Sequence, residues 1–139
     1  MNLLFGASSA IGVEYQKLSK KKLICVTRSK TSNPKLKSNY EVKFIEASIE
    51  EVANNISVIS ENYVEEIETI IFAHRYRKND DELSYNFKDA INIEVESPAK
   101  IVEKLRGKNS ALKNILFLSS IASKYVADEQ PDAYGLTKA

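Results

Sequence analysis

The stretch LLFGASSAIGVEYQKL, residues 3–18, decides how the rest of the chain is read. It begins as a short apolar run from Leu3 to Phe5, turns through Gly-Ala-Ser-Ser, and resumes with apolar residues at helical spacing. A strand of that length followed by a helix from about Ile11 to Leu18 is the opening of a βαβ unit. Ser8 or Ser9 is placed to cap the helix, since a hydroxyl there can accept from an amide of the first turn. Gly6 can take a backbone conformation closed to other residues, and Gly12 lets the helix approach the sheet or a ligand closely. Free amides at the helix start, with the helix dipole behind them, suit a diphosphate. A glycine pair can also do no more than turn the chain; its place after a first strand is what favours the nucleotide reading. The Gly-Lys-Ser/Thr of a P-loop is absent, so NTP hydrolysis is not indicated.

The alternation of short apolar and longer amphipathic segments continues downstream. KLICVT (22–27), YEVKFIEA (40–47), IETIIFA (67–73) and NILFLSS (114–120) read as strands two to five. RSKTSNPKLKSN (28–39) reads as loop. SIEEVANNISVISENY (48–63) places Ile49, Val52, Ile56 and Ile59 near one helical face. LSYNFKDAINIEVESPAKIVEKL (83–105) is a long helix that Gly107 could terminate and that Pro98 bends or divides. Strands separated by such helices imply an α/β fold, a Rossmann-like doubly wound parallel sheet in the order 3-2-1-4-5. In that order the fifth strand is an edge, yet its ILFL run has no Lys or Pro to blunt it. The expectation is a further strand beyond Ala139, so that residues 1–139 form a single but incomplete domain.

Bulk composition narrows the function classes. Twenty basic and 19 acidic residues leave a net charge of +1, which gives no hint of a nucleic-acid partner or an anionic membrane surface. Lys20-Lys21-Lys22 reads as a solvated helix end. The one cysteine, Cys25, rules out an internal disulfide and, within LICV, reads as a buried inert thiol. No apolar run approaches the roughly 18 residues needed to span a bilayer, and no signal peptide is evident, so a cytoplasmic protein is expected. No metal-ligand cluster stands out, and His74, the only histidine, reads as site-lining or structural.

At these residues the chain resembles the short-chain dehydrogenase/reductase family. Gly6, Ile11 and Gly12 match that family's nucleotide turn, with Phe5 where Thr is common and Ala10 in place of the middle glycine. AYGLTKA looks like its Tyr-x-x-x-Lys motif at Tyr134 and Lys138. LFLSSIAS looks like the strand that delivers its catalytic serine, Ser120 with Ser119 as the alternative, and AINIEV like the helix carrying Asn92. The family's Asn-Asn-Ala-Gly appears as FAHR, residues 72–75, and its usual Asp after strand three as Ser48.

The resemblance implies an NAD(P)-dependent oxidoreductase moving a hydride between a nicotinamide cofactor and a small carbonyl or alcohol substrate. It assigns Tyr134 as acid/base, Lys138 as the group that lowers the tyrosine pKa and holds the nicotinamide ribose, Ser120 as the substrate hydrogen-bond partner, and Asn92 as the residue that orders a relay water. Asn92 could equally be a helix-packing amide. The implied cofactor-binding set is Gly6, Ser8, Ser9, Ala10, Ile11, Gly12, Thr27, Arg28 and Ala73, with Tyr134 and Lys138. Strand two ends in VTRS rather than in the acidic residue that holds an NAD ribose. Thr27 and Arg28 offer a hydroxyl and a guanidinium suited to a 2′-phosphate, so NADP is expected over NAD. Members of the family continue well past the Tyr-Lys pair, so the chain is expected to be the N-terminal part of a reductase, inactive as it stands and homo-oligomeric. A non-catalytic nucleotide-binding module or a truncated relative is the rival reading.

Overall fold

The computed structural model describes residues 1–28, 42–76, 86–109 and 111–118. Five parallel strands make one sheet: β1 (Asn2–Phe5), β2 (Leu23–Thr27), β3 (Val42–Glu46), β4 (Thr69–Phe72) and β5 (Asn114–Phe117), in the order β3-β2-β1-β4-β5. This is the expected doubly wound order, with its reversal of direction between β1 and β4. The register is regular, with Phe5 level with Val26 on one side and Phe72 on the other, and Phe72 level with Phe117. β1 and β2 are buried along their whole length, which accounts for runs of apolar residues instead of alternation.

Side-chain period two divides the core between the sheet faces. Leu3, Phe5, Ile24, Val26, Ile70 and Phe72 pack with Val52, Ile101 and Leu105 from the helices, and with Ile59, on one face. Leu4, Cys25 and Ile71 lie on the other, where Tyr15 of helix α1 (Ala10–Leu18) packs against them. Burial pushes the Cys25 thiol up to about 12, as the inert-thiol reading expects. Along the first face the Phe5 and Phe72 rings stack at 5.2 Å and those of Phe72 and Phe117 at 4.7 Å, an aromatic ladder across three strands at the level where the chain leaves the sheet.

The segment between β3 and β4 is not one helix. It divides into α2 (Ile49–Asn54), a 3₁₀ turn (Ile56–Val58) and α3 (Glu61–Val64), while Ile49, Val52, Ile56 and Ile59 all remain buried as their spacing predicts. Ser48 and Glu51 form a capping box at the start of α2. Lys104 donates from across the helix pair to the Ala53 and Asn54 carbonyls at its end, at 2.6 and 2.9 Å. The lysine run does not end a helix: α1 stops at Leu18, and Lys20, Lys21 and Lys22 lie exposed in the turn before β2, with Lys21 paired to Glu68.

The long helix before β5 also differs from expectation. It is α4 (Phe87–Ile91), a π-helical turn (Asn92–Glu96) and α5 (Ser97–Lys108), so Pro98 divides it by following a register slip. Gly107 does not terminate α5. The helix runs through it to Lys108 and is closed by Asn109, a buried side chain that donates to the Ile67 carbonyl at 2.7 Å and accepts from the Ala111 amide at 2.7 Å. β5 sits at the sheet edge as its order requires, with Ile115, Leu116 and Phe117 exposed. Among the described residues no helix is long and apolar enough to cross a membrane.

Candidate functional site

The glycine turn is built by close packing. Gly6 has φ +79°, a left-handed conformation that only glycine takes without strain. Its carbonyl accepts from the Ser9 amide at 2.9 Å, and Ser9, not Ser8, is the N-cap: its hydroxyl oxygen accepts from the Gly12 amide at 3.0 Å. A Cβ on Gly12 would lie 2.3 Å from the Gly6 carbonyl oxygen, so the second glycine exists to let helix and turn touch. Gln16, two per cent exposed, donates to the Ala7 and Gly12 carbonyls at 2.7 and 3.0 Å and ties the turn to the helix. Ser9 accepts the first helical bond from Val13, so the Ala10 and Ile11 amides belong to the helix-start donors that have no carbonyl within the helix to meet.

This turn forms one wall of a cavity of about 690 Å³ at the C-terminal ends of β1, β2, β3 and β4. In an open α/β sheet the crevice where strand order reverses is the place for a ligand. Of the residues predicted from the sequence, the structure brings Gly6, Ser8, Ser9, Thr27, Arg28 and Asn92 to that cavity. Thr27 is buried at the end of β2 and Arg28 is exposed just after it. Ala10, Ile11, Gly12 and Ala73 do not line it; Ala10 and Ile11 are exposed on the first turn of α1. Ser119, Ser120, Tyr134 and Lys138 lie outside the described residues.

Sequence reading missed several lining residues. Glu50 and Asp89 bring carboxylates to the cavity and Arg75 a second guanidinium, from loops and helix starts where a polar residue signals nothing in itself. His74 is both site-lining and structural: it faces the cavity, its ring meets Phe72 edge-on at 5.8 Å, and its Nε2 lies 2.9 Å from the Ile93 carbonyl oxygen. Two residues on, the Tyr76 amide donates to the Glu94 carboxylate at 2.6 Å. Ser48 reaches the cavity too, but its hydroxyl is engaged in capping α2, where it accepts from the Glu51 amide at 3.1 Å.

No protein-family model matches this chain, and no curated protein does. Solved structures do. A short-chain dehydrogenase/reductase from Saccharomyces cerevisiae superposes with a TM-score of 0.73 at 20% identity, over 99% of this chain and 59% of its own. A short-chain dehydrogenase from Leptospira borgpetersenii with bound NAD⁺ gives 0.64 at 21% identity, over 99% and 59%. ElxO with NADPH bound gives 0.70 at 20% identity, over 99% and 62%. The chain thus spans about three-fifths of the length of these proteins. Strand order and superposition together give this chain the doubly wound fold of these short-chain dehydrogenases/reductases.

Proposed function

We propose that the chain is the nucleotide-binding part of an NADP-dependent oxidoreductase of the short-chain dehydrogenase/reductase type, acting on a small carbonyl or alcohol. The observation that carries this reading is the cavity at the strand-order reversal, with the glycine turn, Thr27-Arg28 and Asn92 on its walls. The residues fit a dinucleotide. Helix-start amides backed by the α1 dipole suit a diphosphate, and the approach of Gly12 to Gly6 keeps the turn low enough for backbone to meet phosphate. Arg28 follows β2 where an acidic residue would select an NAD ribose; a guanidinium there favours a 2′-phosphate.

The nicotinamide, when bound, supplies the hydride. Tyr134 donates the proton to the nascent alkoxide, with Lys138 holding its pKa down; Ser120 hydrogen-bonds the substrate oxygen, and Asn92 connects the relay to water. These four roles rest on resemblance, Asn92 alone being seen to line the cavity, and in a longer protein Tyr134→Phe should abolish carbonyl reduction while leaving NADPH affinity nearly unchanged. The exposed apolar edge of β5 supports self-association by strand pairing, which light scattering at several concentrations would register.

Calorimetric titration tests the cofactor assignment. NADPH should bind more tightly than NADH, and Arg28→Asp should reverse the order. Tighter NADH binding by the unmodified chain would refute it.

A further inference from the structure

Ile93 lies in the π-helical turn, and its carbonyl has lost both the α-register and the π-register backbone donor. In an α-helical register its partner would be the amide of Ser97, but that amide donates instead to the carbonyl of Asn92, five residues back. In the π register the partner would be residue 98, and residue 98 is proline, which has no amide hydrogen. A partly buried carbonyl left in this way needs a donor from elsewhere. His74 supplies it, with Nε2 at 2.9 Å. The acceptor is a carbonyl, so it is Nε2 that carries the hydrogen.

From this we infer that His74 is a positioning residue: its Nε2–H replaces the amide that Pro98 lacks and pins the π-turn, and with it Asn92, to the exit of β4. The strand exit is itself held against the glycine turn, since there is no room for even a methyl group between Gly6 and the backbone of Ala73 and His74. The Tyr76 amide, bonded to the Glu94 carboxylate, makes a second tie one residue further along the turn. Strand exit, π-turn and nucleotide turn therefore form one connected wall of the cavity. The consequence for Asn92 as a site residue rests on the proposed function; the pinning itself does not.

The test compares the full chain with His74→Phe, which keeps a ring against Phe72 but removes the donor, and His74→Gln, whose amide nitrogen can take the place of Nε2. Nitrogen-15 spectra of the imidazole should show the Nε2–H form. Amide exchange at residues 94–97 should quicken about tenfold or more in His74→Phe, while the Gln variant stays within about threefold of the parent. Adding Pro98→Ala to His74→Phe gives Ile93 a backbone donor again and should restore most of the protection. Unchanged exchange in folded His74→Phe, failure of Gln to restore protection, or an imidazole protonated only at Nδ1 would overturn the inference. NADPH titration of the same samples is read separately. If the parent binds no NADPH but its exchange follows this pattern, the cofactor reading fails and the His74 tie stands.

Discussion

A β-carbon on Gly6 would lie 2.4 Å from the backbone nitrogen of His74 and 2.6 Å from the carbonyl oxygen of Ala73. Those are backbone atoms of a central strand's exit and cannot step aside as a flexible side chain could. Gly6 therefore sets how closely the glycine turn approaches β4, in addition to allowing the turn at φ +79°. Gly6→Ala should cost about 3 kcal/mol or more, the sum of left-handed strain and overpacking. Urea unfolding measures it, and a loss below about 1 kcal/mol would mean that the two segments separate easily.

The end of α5 offers a pair of substitutions with opposite signs. Gly107 lies within the helix, and a Cβ there would meet nothing within 4 Å. Gly107→Ala should thus stabilise the chain by about 0.5–1 kcal/mol through helix propensity. Asn109→Ala should destabilise by about 2–4 kcal/mol, because it strands a buried carbonyl of Ile67 and an amide of Ala111. Thermal denaturation distinguishes these signs directly. A destabilising Gly107→Ala would restore glycine as the element that closes the helix.

The contrast between Gly107 and Asn109 shows what the sequence made legible. Strand positions and order followed from apolar runs and chain connectivity, because these are properties of period and length. The cap fell to Asn109 because its amide reaches Ile67, 42 residues away, and that tertiary partner has no signature in local pattern. The π-turn was hidden for a similar reason. Pro98 announced a break, but where the helix slipped depended on His74 being at hand for Ile93. At the site, Gly6, Ser9, Thr27 and Arg28 could be read from their place after strands. Asp89 and Arg75 could not, since they reach the cavity only through folding.

Cys25 should be silent toward thiol reagents in the folded protein. Burial raises its pKa to about 12, so at pH 8 almost no thiolate exists to react. A disulfide reagent such as dithionitrobenzoate should label it only after denaturant is added. The linkage has a definite sign. The fold favours the neutral thiol, so that contribution to stability is complete below the unfolded value of about 8.5 and is lost as pH rises toward about 12. Rapid labelling of the native chain at pH 8 would contradict this burial.

The proposed seat of NADP is the cavity between the glycine turn and the π-turn. Amide ¹H–¹⁵N spectra recorded during titration with NADPH test it most directly, because they report affinity and location together. Saturable shifts are expected at Gly6, Ser8, Ser9, Arg28 and Asn92, which line the cavity, with Val102 and Arg106, which line a separate groove between α5 and β5, unmoved. No saturable shift, or shifts confined to the groove between α5 and β5, would contradict it.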